Sequence, residues 1–205
     1  MSKIKICGLS RPCDINAVNE ALPDYIGFVF AKSPREVSFF QATALKQRLD
    51  ERIEAVGVFV DTAVEIISAL CQDRVIDMVQ LHGNEDADYI KRLKQAVSVP
   101  VIKAVRVQST SQIIEAQAFD CSYLLLDTWQ KDRQGGSGHV FDWSMIPKLD
   151  KPFFLAGGLN AANIKEAASY HPYCLDVSSG VETHGKKDRQ KILELVRKVR
   201  SETNE

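Results

Sequence analysis

Short β-branched and aromatic runs alternate with longer helix-like segments along the whole chain. Strand candidates begin near Lys3, Tyr25, Glu54, Asp77, Val101, Tyr123, Phe153 and Cys174. The interval between neighbouring candidates suits one strand, one helix and two short loops. Such alternation is typical of βα units that build a parallel sheet. No break in composition marks a boundary, so we predict a single domain over residues 1–205.

The polar positions inside the strand candidates favour a closed barrel over an open, doubly wound sheet. In an open sheet, helices cover both faces and central strands are apolar throughout. Here side chains alternate between an apolar face and a face that carries polar groups. The polar face collects Lys5, Cys7, Gln80, His82, Lys103, Asp127 and Asp176. The pattern therefore predicts an α/β fold, a (β/α)8 TIM barrel with a polar lumen mouth.

Local signals also predict where helices begin. Ser38 with Gln41, and Thr62 with Glu65, have the spacing of capping boxes. Asn84 precedes two acidic residues, which favours an N-cap followed by a negatively charged first turn. We therefore expect helices to start directly after Ser38, Thr62 and Asn84.

Composition narrows the class of partner. The chain has 205 residues, 45% of them hydrophobic, and a formal net charge of −1. This balance points to neither a nucleic-acid nor a membrane partner, and no apolar run approaches the roughly 20 residues of a membrane span. The first residues resemble a strand and not a signal peptide, so we expect a cytoplasmic protein. The five cysteines are scattered without C-x-x-C spacing, and we expect free thiols.

In (β/α)8 barrels the active site lies at the C-terminal ends of the strands. The predicted seventh strand is followed by Gly157 and Gly158, and the eighth by Ser178, Ser179 and Gly180. Loops in these two places commonly bind phosphate, because glycine lets backbone N–H groups approach an anion. Two tight turns without a ligand are the alternative interpretation, and the presence of both loops in these places favours the phosphate site.

Ionisable groups at other strand ends are candidates for chemistry. Cys7 ends the first strand and is either an apolar filler or a base, since a thiol pKa of about 8.5 suits proton abstraction beside positive charge. Asp127 ends an apolar strand, and a carboxylate there is solvated, paired or functional. Asp176 raises the same question. A structural ion pair with Lys5 or Lys103 across the lumen is the alternative for one of the two acids, and spacing does not decide between them.

Three further features follow strand ends. Arg35 suits a bidentate contact to a carboxylate, although a solvated arginine is the ordinary alternative. His82 is placed to contact a substrate, and the four histidines have no spacing that predicts a metal site. The segment from Gln130 to Val140 is interpreted as a lid, or alternatively as a plain flexible loop.

Several stretches along the chain carry a resemblance to a known family: Lys5–Arg11, Gly27–Phe30, Ser33–Arg35, Val56–Val60, Val79–Gly83, Leu126–Asp127, Gly135–Gly138 with Phe141–Trp143, Leu155–Leu159 and Asp176–Glu182. Taken together, they resemble the phosphoribosylanthranilate isomerase family. They cover nearly the whole chain. Ser10 and Ser137 stand where the family more often has threonine, and neither touches the expected acid or base.

The resemblance implies an Amadori rearrangement of N-(5-phosphoribosyl)anthranilate to 1-(o-carboxyphenylamino)-1-deoxyribulose 5-phosphate, a step of L-tryptophan biosynthesis. It implies Cys7 as general base and Asp127 as general acid, with Arg35 on the anthranilate carboxylate and Asp176 on the ribose. The two glycine-containing loops would hold the phosphate. No metal or organic cofactor is implied, and the expected partner is a small phosphosugar, bound by a monomer or a homodimer.

Three alternatives are weighed against this family. Another phosphosugar (β/α)8 isomerase, such as that of histidine biosynthesis, would carry a carboxylate where this chain has Cys7. Indole-glycerol-phosphate synthase would need a lysine at a strand end, and Lys103 lies too far down its strand. A non-catalytic phosphosugar-binding barrel is the alternative from a different class, and the set of Cys7, Arg35 and Asp127 argues against it.

Overall fold

A computed structural model describes residues 2–129 and 140–201. Eight parallel strands close into a barrel in chain order, and the last pairs with the first. They are β1 Lys3–Cys7, β2 Tyr25–Val29, β3 Glu54–Phe59, β4 Met78–Leu81, β5 Val101–Val107, β6 Tyr123–Thr128, β7 Phe153–Leu155 and β8 Cys174–Val177. The TIM-barrel prediction is confirmed, and each strand begins where the pattern placed it except β4, which starts one residue later.

Helices connect most of the strands around the outside. They are α1 Pro12–Ala21, α2 Phe39–Lys46, α3 Val64–Gln72, α4 Ala87–Ala96, α5 Thr110–Ala116, α6 Ile164–Ala168 and α7 Arg189–Arg200. Among the described residues, the connection from β6 to β7 contains only a 3-10 helix, Trp143–Met145. A second 3-10 helix, Ser179–Val181, and a small hairpin, β9 Glu182–Thr183 with β10 Lys186–Lys187, follow β8. The segment interpreted as a lid lies, apart from Val140, outside the described residues.

One of the three predicted helix starts is confirmed. Ser38 is the N-cap of α2, and its hydroxyl accepts a hydrogen bond from the Gln41 backbone N–H at 3.2 Å. The Gln41 side chain donates instead to the Ser10 carbonyl at 2.6 Å, which ties α2 to the loop after β1.

The other two helix starts are wrong. The N-cap of α3 is Ala63, and the Thr62 hydroxyl donates to the Val60 carbonyl. The N-cap of α4 is Asp86, two residues after Asn84. The tertiary environment explains the second error. The Glu85 side chain is buried in the protein, and the helix begins only after it.

The barrel wall separates two apolar regions. The larger apolar region lies between the strands and the helices, and it includes Ile4, Ile6, Leu124 and Leu126. Inside the lumen lies a smaller cluster that includes Tyr25, Val56, Met78, Ile102, Leu125, Phe154 and Cys174. The alternation predicted for β1, β6 and β8 is thus confirmed. Within residues 2–129 and 140–201 no helix combines the length and apolar character needed to cross a membrane.

The predicted place of Lys103 in the lumen is wrong. Ile102 and Ala104 fill the lumen at β5, so Lys103 between them points outward. There it is buried against Glu85, with Nζ 2.6 Å from Oε2, and it donates to the Gly83 carbonyl at 2.8 Å. A buried ammonium is tolerated on the outer face because a buried carboxylate pairs with it.

Candidate active site

A pocket opens where the strands end at the C-terminal side of the barrel, which we call the mouth. Nine of the ten predicted site residues line it: Cys7, Arg35, His82, Asp127, Gly157, Gly158, Asp176, Ser178 and Ser179. The tenth, Gly180, is not among the lining residues. The structure therefore brings together side chains that lie far apart in the sequence.

Cys7 ends β1 and is 8% exposed. Its thiol is seated over Gly27 of β2: a Cβ at that position would stand 2.6 Å from Sγ. Burial raises the pKa of Cys7, and Asp176 adds to this, while the positive charges of Lys5 and Lys187 oppose it. The ligand-free protein therefore favours the neutral thiol, with two cations at hand to assist ionisation.

A line of polar side chains crosses the lumen at the bottom of the pocket. Lys5 is fully buried, and its Nζ donates to Asp176 Oδ2 and to Gln80 Oε1, both at 2.9 Å. Burial would lower the pKa of Lys5, but the negative charge of Asp176, its hydrogen bond to Lys5 and the neighbouring Cys7 together outweigh burial, and the pKa is raised. Lys5 is thus a fixed cation, and of the two acids it is Asp176 that pairs with it.

The polar line continues from Gln80 to Asp127. Gln80 Nε2 lies 2.9 Å from His82 Nδ1, and His82 Nε2 lies 3.1 Å from Asp127 Oδ2. Asp127 Oδ1 accepts a hydrogen bond from the Thr128 backbone N–H at 2.8 Å. Five side chains, four from β8, β1, β4 and β6 and one from the residue after β4, are linked in this way, and we call them the lumen chain: Asp176, Lys5, Gln80, His82 and Asp127.

One oxygen of the lumen chain is left over. Asp176 Oδ1 is buried and has no hydrogen-bond partner among the described residues, although the residue lines the pocket. A buried carboxylate oxygen without a donor is costly. It is therefore a candidate acceptor for a ligand hydroxyl.

Arg35 lies at the rim, where Glu182 holds it by two parallel hydrogen bonds. Arg35 Nε is 2.7 Å from Oε1, and Nη2 is 2.8 Å from Oε2. Lys187 Nζ lies 2.5 Å from the same Oε1 and donates to the Ser178 carbonyl at 3.0 Å. The Glu182 hydrogen bonds raise the pKa of Arg35. Burial opposes ionisation of Glu182, but its two cations lower its pKa below the usual range.

Sequence reasoning missed Lys187 and Arg106. Lys187 is buried beside Glu182, and no pattern in the hairpin points to this position. Arg106 lines the pocket and donates to the His82 carbonyl at 3.3 Å. Alternation from Ile102 through Ala104 would have placed Arg106 at the mouth, had β5 been assigned its observed face.

The two glycine-containing loops face the pocket from β7 and β8. Gly157 has φ of +82°, and a Cβ there would stand 2.2 Å from Thr128 Oγ1, so only glycine fits without strain. A Cβ at Gly180 would stand 1.9 Å from the Leu159 carbonyl oxygen. Gly180 thus allows the two loops to pack together, while Ser178 and Ser179 form the pocket wall.

Metal ligation finds no support in residues 2–129 and 140–201, where no group of three or more His, Cys, Asp or Glu side chains is placed to hold an ion. What the mouth does bring together is a thiol, carboxylates and two glycine-containing loops, with the buried Lys5 paired to Asp176 below them. Fold and site define a (β/α)8-barrel protein with an acid–base pocket at the strand ends.

Comparison with known proteins specifies the family. Residues 4–198 match the model of the N-(5'-phosphoribosyl)anthranilate (PRA) isomerase family. An N-(5'-phosphoribosyl)anthranilate isomerase of Endomicrobium trichonymphae is 50% identical over 202 residues, covering 98% of this chain and all of that one. The chain belongs to the phosphoribosylanthranilate isomerase family.

Solved structures agree with this assignment. The phosphoribosylanthranilate isomerase of Thermus thermophilus superposes with a TM-score of 0.86 at 28% identity, covering 97% of this chain and 98% of that one. A phosphoribosylanthranilate isomerase in complex with reduced 1-(o-carboxyphenylamino)-1-deoxyribulose 5-phosphate has a TM-score of 0.82 at 31% identity, covering 98% and 100%.

Proposed function

We propose that the chain catalyses the Amadori rearrangement of N-(5-phosphoribosyl)anthranilate to 1-(o-carboxyphenylamino)-1-deoxyribulose 5-phosphate, a step of L-tryptophan biosynthesis. The observation that carries the proposal is that Cys7 and Asp127 line the same pocket, in a chain that belongs to this isomerase family. The reaction moves protons within one molecule, so an acid and a base suffice.

Asp127 acts as the general acid in this proposal. It gives a proton to the furanose ring oxygen while the C1–O bond breaks, and the anilino nitrogen supplies its electron pair to form a protonated Schiff base. Asp127 lies at the end of β6 with its side chain only 14% exposed. The carboxylate left behind is stabilised by the Thr128 N–H and by His82.

Cys7 acts as the general base in the next step. The Cys7 thiol first loses its proton to solvent at the pocket. The thiolate then removes the proton from C2 and becomes the thiol again, and the electron pair of the C2–H bond forms the enolamine, which tautomerises to the ketone. The Schiff base is cationic and adds its charge to those of Lys5 and Lys187, which favour the thiolate. Burial of the thiol in the free protein is thus compatible with the role of base once the ring has opened.

The remaining predicted residues are proposed to bind the substrate. Backbone N–H groups around Gly157, Gly158 and Ser179 suit the phosphate, and Gly180 supports that loop from behind. Asp176 Oδ1 suits a ribose hydroxyl because it lacks a donor among the described residues. Arg35 suits the anthranilate carboxylate through the N–H groups that Glu182 does not engage.

Three broader predictions accompany this proposal. We propose that residues 1–205 form one domain, that the protein works in the cytoplasm, and that it is a monomer or a homodimer. Light scattering of the purified protein decides between the last two.

The test is fluorescence-monitored consumption of phosphoribosylanthranilate generated in situ. We expect turnover without added metal or cofactor, and identification of the deoxyribulose product by mass spectrometry. A folded sample that binds the substrate without consuming it would favour the non-catalytic barrel. Turnover of a different aminoaldose phosphate in its place would favour another phosphosugar isomerase.

A further inference from the structure

The lumen chain has a direction, because one of its members can only donate. An ammonium group has donors and no acceptor, so the Gln80 atom facing Lys5 must be the carbonyl oxygen Oε1. The amide nitrogen of Gln80 then faces His82 Nδ1. Rotating the amide by half a turn would set its NH2 group against the buried ammonium, with the oxygen turned away.

The orientation of Gln80 determines which nitrogen of His82 carries the hydrogen. Nδ1 must accept from the Gln80 amide, so a neutral imidazole carries its hydrogen on Nε2. Nε2 is the atom 3.1 Å from Asp127 Oδ2, and it therefore donates to this carboxylate. Each bond along the path from Lys5 to Asp127 thus runs in the same direction.

Both ring nitrogens of His82 are therefore used within the protein. Arg106 on β5 also donates a hydrogen bond to the His82 carbonyl. The backbone N–H of Gly83, the residue after His82, donates to the buried Glu85 at 3.0 and 3.2 Å. The ring is fixed from several sides and has no nitrogen left for a substrate. This differs from the role of substrate contact that its position at the end of β4 predicted.

We propose that Lys5 and Gln80 are positioning residues that hold His82 in the Nε2–H tautomer, and that His82 serves the acid Asp127 and not the substrate. The Nε2–H group orients Oδ2 and is already in place for the negative charge that Asp127 acquires when it protonates the ring oxygen. Because Gln80 offers only N–H groups to Nδ1, a hydrogen on Nδ1 would face a donor with no acceptor for it. The proposal rests on the proposed role of Asp127.

The first test reads the tautomer directly, in the full-length protein without ligand. Side-chain 15N–1H NMR correlations report which imidazole nitrogen is protonated, and the His82 signals are identified by their loss in His82→Gln. We expect Nε2 protonated and Nδ1 unprotonated. In Gln80→Glu, the carboxylate can only accept from Lys5 and Nδ1, so we expect Nδ1 to become protonated. An Nδ1–H tautomer in the unaltered protein, or no change in Gln80→Glu, would overturn the proposal.

The second test separates positioning from substrate binding by a matched pair of variants at one residue. A glutamine places its amide nitrogen near the site of Nε2, whereas asparagine places it near Nδ1. We expect kcat of His82→Asn to fall about 10- to 100-fold below that of His82→Gln, the cost of losing a hydrogen bond to a charged group. KM should stay within a few-fold in both, with matching thermal midpoints as the control for folding.

The outcomes distinguish the two proposals. Equal kcat in the two variants together with a raised KM would make His82 a substrate contact and overturn the positioning role. Absence of turnover in the unaltered protein would remove the proposed function, while the NMR measurement would still decide the direction of the lumen chain.

Discussion

The two ends of the barrel lumen are built from the same eight strands and differ in almost every other respect. At the N-terminal end, which we call the floor, the rings of Tyr25, Tyr123, Phe154 and Tyr173 pack with centroids 4.7 to 5.8 Å apart. Lys3 closes this cluster by donating to the Tyr25 hydroxyl at 3.0 Å. At the mouth the strands end instead in a thiol, carboxylates and glycines around an open pocket.

The difference shows how one sheet divides stability and chemistry along its length. Large rings at the floor fill the lumen and exclude water, which stabilises the barrel through apolar burial and ring contacts. Small and polar side chains at the mouth leave room for a ligand and carry buried charge that has to be paired. Lys5 lies between the two regions, so its ion pair with Asp176 also forms the base of the pocket.

The largest effect is expected at the mouth, from Asp127→Asn and Cys7→Ser. Each removes a proton donor or acceptor at a strand end, and we expect kcat to fall by about 10²- to 10⁴-fold or more. Substrate binding and the thermal midpoint should change little. Steady-state kinetics measure the first, and calorimetric titration with the product measures binding.

Exposed residues of the same types provide the controls. Asp88→Asn on α4 and Cys13→Ser on α1 lie on the surface, and kcat should be unchanged in both. Near-normal turnover in Asp127→Asn or Cys7→Ser would remove the proposed role of that residue.

The opposite effect is expected at the floor, from Phe154→Ala. The ring is fully buried in the lumen cluster, and its loss should lower the free energy of unfolding by about 3–5 kcal/mol. The kcat of the molecules that remain folded should stay close to that of the unaltered protein. Urea unfolding measures stability, and Phe40→Ala on α2, where the ring is 84% exposed, should change it by less than about 0.5 kcal/mol. Loss of kcat without loss of stability would mean that floor and mouth are coupled.

A smaller effect is expected from Gly27→Ala, which tests how tightly the thiol is seated. The new Cβ would stand 2.6 Å from Cys7 Sγ and 3.1 Å from Cys7 Cα, so the base has to move. A displacement of about 1 Å in a catalytic group costs up to roughly 10²-fold in turnover. Kinetics on the purified variant measure the loss.

Gly185→Ala separates this collision from general glycine effects. Gly185 lies in the turn of the β9–β10 hairpin with φ of +72° and nothing within 4 Å of a new Cβ. The substitution strains the backbone and should lower stability by about 1 kcal/mol without changing kcat. An equal loss of kcat in both variants would show that the close packing of the Cys7 thiol against Gly27 does not affect turnover.

The sequence was sufficient for the barrel because strand alternation and regular spacing are local properties. It placed Cys7, Asp127 and Asp176 at the mouth, since each lies at or one residue before the end of a strand whose other face is plainly apolar. It failed for Lys103, where the strand continues through Ala104, Val105 and Arg106 and either face could be taken as polar. Only closure of the lumen by Ile102 decides that question.

Contacts between distant segments were beyond the reach of local patterns. The bidentate bond from Arg35 to Glu182 joins the loop after β2 to the hairpin after β8, and Lys187 completes it. Asn84 has the chemistry of an N-cap, yet the pairing of Glu85 with Lys103 moves the helix start to Asp86. In each case the outcome depends on which buried charge finds a partner.

The smallest effect concerns thiols at two depths on the lumen face. Burial raises the pKa of both Cys7 at the mouth and Cys174 near the floor, and for Cys174 it does so strongly. Since the thiolate is the reactive form, iodoacetamide at pH 8 should label the exposed Cys13 first, Cys7 more slowly and Cys174 last. Because the raised pKa keeps Cys7 protonated, its labelling rate should still climb above about pH 9.5, where an ordinary thiol with a pKa of about 8.5 is mostly ionised and levels off. Peptide mass spectrometry measures the rates, and protein unfolded in urea, where the three should react alike, is the control.

If Cys7 instead reacted faster than Cys13 at neutral pH, the thiolate would already be present in the free protein. The slower reaction expected here agrees with a thiolate that forms at Cys7 only after Asp127 has acted, when the positive charge of the Schiff base favours it.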